Sequence, residues 1–390
     1  MSSSNRIAPA AAQDIAVGQP LPFSVYDRHD NLLLRKGFII TSERQRDRLL
    51  EQGVFRHLPD SRFAASDDGG DDFHTANRFT VFETVEILLD RLDRAYQLLR
   101  SEQRQQFPYL CLGIVNDLQR ICNDNPDAIL AGMQISHHLP YGLIHPLHCG
   151  VLCELLGKRL KIPLLNRMAL VAGAISHDVG ICQLQEKLHR QTTPLTDHQW
   201  QRIQRHPTES VQLLRAAGVD DPIWLDVVEL HHERLDGSGY PAALNGTQIR
   251  PEARILSIAD IYTAMIRPRA YRDAFVAKDA LRDLFKDRGA TVDPQLVELF
   301  VRAIGVFPPG AFVRLANGET AVIQKRGSEA AKPVCYSVIG RYGDPLPQPR
   351  LRDTGEPLYA VLEMLPHHDH PALRSHFNDL WPPLRAIAEH

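Results

Sequence analysis

From about residue 79 to residue 304, apolar side chains recur every three to four positions, the period of an amphipathic helix. The stretch "VFETVEILLDRLDRAYQLL" sets Val81, Val85, Leu88, Leu89, Leu92, Tyr96 and Leu99 on one stripe. Comparable stripes fall at 107–123, 126–138, 145–161, 165–177, 197–216, 222–233, 251–265, 277–287 and 293–304. Strand-like alternation is nearly absent here, which predicts a bundle of roughly ten helices.

Other patterns flank this region. "LPFSVYDRHDNLLLRKGFII" reads as two short strands around the turn "DRHDN", and "SERQRDRLLEQG" as a helix opened by Ser42 and closed by Gly53. They predict a small N-terminal α+β regulatory module over 14–58, after a disordered leader (1–13) and before an acidic linker (59–78). Beyond 305, "AFVRL" and "TAVIQK" flank the Asn-Gly turn "ANGE", and "PVCYSVIG" and "YAVLEML" add strands. A small C-terminal β appendage over 305–365 is expected, then a tail (366–390) holding a short helix with loose ends. The fold class is mainly α.

Composition narrows the class without naming a reaction. The 390 residues are 44% hydrophobic and 23% charged, as in ordinary globular proteins, and suffice for two or three domains. A net charge of −3 creates no field that favours a nucleic-acid polymer or an anionic membrane. The six cysteines form no CxxC pair and read as reduced, buried thiols; Cys149 and Cys153, four apart, read as packing. The first residues lack an apolar core of signal-peptide length, and the longest apolar stretch, "MALVAGAI", is too short to span a bilayer. A cytoplasmic location is expected.

Eighteen histidines are more than usual, and they cluster. Metal-capable groups stand at His145, His177-Asp178, His206, His231-His232 and Asp260, with His148 near the first. The helix before His177 is apolar nearly all round, so an imidazole and a carboxylate at its end need partners, either a metal or a capping cation. Asp260 sits alone among Ile255, Leu256, Ile258, Ala259 and Ile261 and has the same need. His206 before a proline would by itself be an exposed residue of no consequence, and His145 at the start of a helix is ambiguous. Together, four apolar helices carry ligands toward one interior. Imidazole with carboxylate suits Fe, Mn, Zn or Ni rather than Mg or Ca alone. Seven ligands are too many for one open ion and suit two, a pairing used in phosphoester hydrolysis.

The motifs "HD" at 177–178, "HHERLDGSGYP" at 231–241 and "IAD" at 258–260 resemble the HD-GYP family of the HD phosphohydrolase superfamily. That resemblance runs from about 137 to 315 and implies an HD-type bundle that hydrolyses the bacterial second messenger cyclic di-GMP to pGpG or GMP. Position by position it implies metal ligation by His145, His177, Asp178, His206, His231, His232 and Asp260. Asp178 would bridge two ions, Fe or Mn, as the catalytic carboxylate. Tyr141 stands where some members carry a glutamate for a third metal, which implies two. Arg269, Tyr271 and Arg272 would meet substrate phosphate or guanine. Asp236, Gly237, Gly239, Tyr240 and Pro241 form the motif loop, read as a turn that shapes the site and meets other signalling proteins. Glu233 and Arg234 would support it. The expected partners are cyclic di-GMP, those proteins and a second copy in a homodimer. His137-His138 and His367, His368 and His370 read as solvated groups.

This chain departs from the family pattern at points that bear on activity. Ile181 stands where the family carries a lysine beside the scissile phosphate, Gln191 and Pro194 where two further lysines are common. Loss of a fixed cation of that kind costs about 10²–10³ in rate. Thr263 replaces an acidic residue and Ser210 a glycine. Two readings follow: an active phosphodiesterase, or a weak or inactive module that binds cyclic di-GMP or a partner protein. A different nucleotide phosphohydrolase is disfavoured by "GSGY".

Overall fold

The computed structural model describes residues 78–136, 138–268, 276–327, 329, 331–366 and 374–385, with residues 7–9, 12–17, 19, 21–26, 32–34, 40, 43, 46–47, 50 and 55–57 of the N-terminal region. There, β1 (Ile7–Pro9), β2 (Val25–Tyr26), β3 (Leu32–Leu34) and β4 (Phe55–His57) form an antiparallel sheet in the order β1-β4-β2-β3. The strands on either side of "DRHDN" pair as expected, although the turn itself lies outside the described residues. Ile7–Pro9, assigned to a disordered leader by its composition, instead pairs with β4. Glu43, Arg46, Asp47 and Leu50 are helical.

Arg78–Phe79 forms β5, and Thr80 with Glu83 makes a reciprocal capping box that opens α1 (Val81–Leu99). Helices α2 (Phe107–Asp124) and α3 (Pro126–Ile135) follow; Asn125 caps α3 by accepting from the Ala128 amide. Helix α4 (Tyr141–Arg159) is buried nearly all round and packs against its neighbours α2, α3 and α5 (Leu164–Ala174). It begins one turn earlier than its apolar stripe suggests, so His145 lies in the second turn rather than at the start. Pro146 misleads there: lacking an N–H, it leaves the Gly142 carbonyl without its helical donor, yet the helix runs through it.

A helix absent from the periodicity, α6 (Cys182–Arg190), lies against α4. Its nine residues have no buried member and offer only Leu184 and Leu188 to an apolar stripe, too few for a signal. Helices α7 (Asp197–Ala216), α8 (Pro222–Leu230), α9 (Pro251–Ile266), α10 (Ala277–Asp287) and α11 (Pro294–Ile304) complete the bundle. Thr196, Asp221 and Asp293 cap α7, α8 and α11 through their side chains. The fold is mainly α, as predicted. No helix among the described residues is long and apolar enough to cross a membrane.

The C-terminal sheet contains β6 (Phe312–Leu315), β7 (Thr320–Lys325), β8 (Val334–Ile339), β9 (Pro345–Asp353) and β10 (Val361–Leu365), in the order β10-β6-β7-β8-β9. It docks on the bundle through Arg326, which bonds Asp127 at 2.6 Å. Gly310 also lies so close to α3 that a Cβ would stand 2.9 Å from Ala131 Cα. The short helix expected in the tail is present and packed. In α12 (Arg374–Leu380) and beyond, Phe377, Leu380, Trp381 and Leu384 are buried, at helical spacing. Trp381 donates to the Gln324 carbonyl at 2.8 Å, and β11 (Leu384–Arg385) pairs with β5. The two ends of the described 78–385 region are thus joined in one small sheet.

Within the appendage, Glu319 accepts from Arg352 Nε and Nη2, each at 2.8 Å, and from Ser337 Oγ at 2.7 Å. Partial burial would raise its carboxyl, but these bonds hold it at about 2. A depressed carboxyl stabilises the fold above its unfolded value, and that contribution is lost as pH falls toward 2. Glu319→Gln should therefore cost about 1–3 kcal/mol at pH ~7 in chemical denaturation, the gap to wild type narrowing below pH ~4.

Candidate metal centre

The seven predicted ligands converge from five elements. His145 comes from α4, His177 and Asp178 from the turn after α5, His206 from the middle of α7, His231 and His232 from just beyond α8, and Asp260 from the middle of α9. His145, His177, Asp178, His206 and His231 are each no more than 3% exposed. Ligand atoms of His145, Cys149, His177 and Asp260 lie within 4.8 Å of one another, as do those of His206, His231 and His232. A third group, His177, Asp178 and His231, joins these two.

Asp178 stands between them. Its Oδ1 is 3.3 Å from His206 Nε2, while Oδ2 is 3.2 Å from His177 Nε2 and 3.7 Å from His145 Nε2. Asp260 Oδ1 lies 3.0 Å from His145 Nε2, and its Oδ2 is 3.8 Å from His232 Nδ1. Among the described residues, no lysine or arginine forms an ion pair with either carboxylate. The reading of His177-Asp178 as a pair satisfied by a capping cation therefore finds no such cation.

Local backbone chemistry orients the rings. His177, His206 and His231 each direct Nδ1 at the carbonyl three residues earlier, on Ala174, Ile203 and Val228, at 2.7, 2.6 and 2.8 Å. A carbonyl only accepts, so Nδ1 carries the proton, and in the neutral ring Nε2 is a lone pair facing the centre. Ala174 and Val228 lie in the last turns of α5 and α8, where carbonyls lose their helical partner. In α7 the partner is removed by Pro207, which has no N–H to give Ile203. His145 is held differently: its Nδ1 lies 3.1 Å from Thr263 Oγ1, whose own proton is directed to the Ala259 carbonyl at 2.8 Å.

His206 Nε2 and His231 Nε2 are 3.3 Å apart. With both Nδ1 atoms protonated, these are two lone pairs at hydrogen-bond distance, which repel unless a cation lies between them. Burial and the neighbouring imidazoles hold His231 and His232 well below the usual imidazole range, the neutral form a metal ligand needs. Burial alone would lower His177 as well, but the adjacent Asp178 lifts it to about 9. Burial would raise Asp178, yet His177, His206 and His145 keep it well below the usual carboxylate range. The centre calls for positive charge, and its donors fit a divalent transition metal.

The turn carrying His177 and Asp178 is tied from three sides. Tyr96 donates to the Ile175 carbonyl at 2.7 Å, and Arg100 to that of Val179 at 2.7 Å. Trp224 of α8 donates to Ser176 Oγ at 2.8 Å. On α7, Ser210 accepts from Gly180 N at 3.0 Å and donates to the His177 carbonyl at 2.8 Å. A Cβ on Gly180 would stand 2.8 Å from the His206 carbonyl, so only glycine lets the turn meet α7.

The motif loop folds back on its own helix end. Gly239 lies so near residues 232–234 that a Cβ would be 2.5 Å from three backbone atoms. Gly237 has a φ of 79°, and Asp236 accepts from Ser238 N at 2.9 Å. Buried Glu233 secures the return, accepting from Ala242 N at 2.7 Å and Leu244 N at 2.9 Å. Tyr240, next to Pro241, thereby sits with its ring centroid 4.7 Å from that of His232. Arg234 is exposed, and its carbonyl accepts from Gly237 N at 2.9 Å.

Arg269, Tyr271 and Arg272 lie outside the described residues, as do His137, His367, His368 and His370. His138 is exposed and His148 buried. Four residues near the centre escaped the sequence reading as contributors. Thr263 orients His145, and Tyr141 stacks on it with centroids 4.9 Å apart. Cys149 packs in the core as expected, but its Sγ also lies among the ligand atoms. Gln185 of α6 donates to Asp178 Oδ2 at 2.7 Å. Helical spacing from His145 and Asp260 places Cys149 and Thr263 on the ligand faces; nothing local marks Gln185.

Comparison with known proteins agrees with this geometry. Residues 116–296 match the family model for the HD domain. That matched region holds all seven predicted ligands, and its motifs are similar to those of the HD-GYP family. It is 30% identical over 238 residues to the cyclic di-GMP phosphodiesterase PA4108 of Pseudomonas aeruginosa, covering 60% of this chain and 57% of that one. It is also 30% identical over 161 residues to the cyclic di-GMP phosphodiesterase response regulator RpfG of Xanthomonas campestris pv. campestris, covering 35% and 42%. Over 169 residues it is 28% identical to the 3'3'-cGAMP-specific phosphodiesterase 3 of Vibrio cholerae, covering 43% and 36%. The chain thus spans about half the length, or less, of these curated relatives.

The role of Pro207 is testable. Pro207→Ala restores an N–H that competes with His206 for the Ile203 carbonyl. Affinity for Mn²⁺, measured by calorimetry, should fall about 10-fold while the melting temperature of the metal-free protein does not drop. Unchanged affinity would show that this carbonyl does not orient His206.

Proposed function

We propose that the chain is a metal-dependent phosphodiesterase that hydrolyses cyclic di-GMP to pGpG, GMP or both. His145, His177, Asp178, His206, His231, His232 and Asp260 would hold two divalent ions, Fe or Mn. The observation that carries this reading is the position of Asp178, whose two oxygens face two separate sets of imidazole Nε2 atoms. When bound, a pair of such ions supplies a water of lowered pKa and stabilises charge on a phosphoryl group. The side chains supply the rest. Fixed Nδ1 protons keep the Nε2 lone pairs turned inward, and Tyr240 limits the freedom of His232. Burial of the five innermost ligands excludes bulk water and strengthens each electrostatic contact. Arg269 and Arg272 would bind substrate phosphate and Tyr271 a guanine, by side-chain chemistry.

The substrate follows from the relatives named for cyclic di-GMP. In the same proposal the N-terminal sheet is regulatory, the chain works in the cytoplasm as a homodimer, and other signalling proteins meet the exposed rim of the motif loop around Asp236 and Pro241.

The second reading, a module that binds cyclic di-GMP without turnover, rests on Ile181. It is 5% exposed, and no lysine or arginine pairs with the centre among the described residues. Protein loaded anaerobically with Fe or Mn should hydrolyse cyclic di-GMP, while Asp178→Ala should lose at least 10²-fold in rate. Two bound ions with no hydrolysis of either cyclic di-GMP or 3'3'-cGAMP would sink the enzyme reading and leave the binding one. Ile181→Lys should speed a slow wild type; an unchanged rate would show that position 181 does not govern the phosphate.

A further inference from the structure

Gln185 sits in the first turn of α6, seven residues after Asp178 and before α7 and α8 in the chain. Its Nε2 lies 2.7 Å from Asp178 Oδ2. A carboxylate oxygen only accepts, so the amide can face it in one orientation: Nε2 toward Asp178 and Oε1 away. That Oε1 is buried and meets no hydrogen-bond donor among the described residues. A buried amide oxygen left unpaired is costly, and such groups ordinarily find protein or solvent partners. The site thus contains one polar side chain whose donor half is engaged with the shared carboxylate and whose acceptor half is unmatched.

Asp178 needs such a holder. Its two oxygens are useful to both sets of imidazoles only if the carboxylate plane is fixed, since rotation about its terminal torsion would exchange or misdirect Oδ1 and Oδ2. The imidazole Nε2 atoms around it are lone-pair donors and cannot hold it by hydrogen bonds while they face a metal. Among the described residues, Gln185 is the neutral side chain that donates to it. Helix α6 is itself anchored: Glu186, the next residue, accepts from the Gly142 amide at the start of α4 at 2.6 Å. The amide is therefore presented from an element tied to the helix that carries His145.

We propose that Gln185 is a positioning residue of the metal centre, fixing the Asp178 carboxylate through Nε2 and offering Oε1 as an acceptor to an N–H or O–H group of the bound nucleotide. The proposal rests on the metal-centre reading above and adds a residue to it. Orientation of a ligating carboxylate by an outer partner is worth about 10–100-fold in metal affinity. Loss of an acceptor for substrate acts separately, on KM.

The test compares wild type with Gln185→Leu, close in volume but without the amide, and Gln185→Asn, which keeps the amide and falls one methylene short. Gln183→Leu, exposed on the same helix, is the control. Affinity and stoichiometry for Mn²⁺ are measured by calorimetry, and ligand geometry by the visible absorption of the Co²⁺-loaded protein. Wild type and Gln183→Leu should bind two ions alike. Gln185→Leu and Gln185→Asn should lose about 10–100-fold in Mn²⁺ affinity, shift the Co²⁺ spectrum and raise KM for cyclic di-GMP. Wild-type affinity and spectrum in both Gln185 variants would overturn the proposal. If Gln185→Leu fails to fold by circular dichroism, Gln185→Asn decides alone. A wild type that binds no metal would instead refute the centre itself, an outcome distinct from failure at Gln185.

Discussion

Asp178 carries its charge inside a helical bundle, at 3% exposure, and much of the structure answers to that fact. A buried carboxylate without a cation is among the most costly groups a fold can hold. Here it is met by imidazoles from α4, from its own turn and from α7, and by an amide from α6. Those elements must therefore arrive together. The ties on the surrounding turn, through Tyr96, Arg100, Ser210 and Trp224, come from α1, α7 and α8 and bring the ligand-bearing elements to one depth.

The same economy recurs in how the histidines are aimed. Three rings use a backbone carbonyl released by a helix end or by Pro207, so the protein needs no separate carboxylate behind each one. Leaving further carboxylates out keeps uncompensated charge out of the core. Thr263 does the corresponding work for His145 with a neutral hydroxyl, where the family resemblance leads one to expect an acid. The departures at Thr263 and Ser210 are thus accommodated by hydrogen bonds visible in the structure. The departure at Ile181 has no such replacement among the described residues: an apolar side chain is buried where a cation was expected.

Much of the architecture was legible in the chain. Helices α7, α10 and α11 fall within a residue of their predicted limits, since their stripes are regular and Thr196 and Asp293 mark two of the starts. Helix α6 was not legible, because a short helix with no buried residue leaves no periodic trace. The short helix expected in the C-terminal tail is present, but the docking of Phe377, Leu380, Trp381 and Leu384 was not legible, because their partners lie far away in the chain.

The amino-acid sequence by itself determined which residues can ligate, because imidazoles and carboxylates on otherwise apolar helices have few other ways to be satisfied. It also determined the motif loop, where Gly237 and Gly239 answer local backbone demands within a dozen residues. Only the tertiary structure decided that His206 is buried, that the candidate ligands gather in two sets with Asp178 between them, and that Gln185, Thr263 and Tyr141 stand behind them. The physical reason is range. Helical period and turn chemistry act over a few neighbouring residues, whereas the partner of a buried charge is chosen by whichever helix packs against it, as with Asp260 and His145, 115 residues apart.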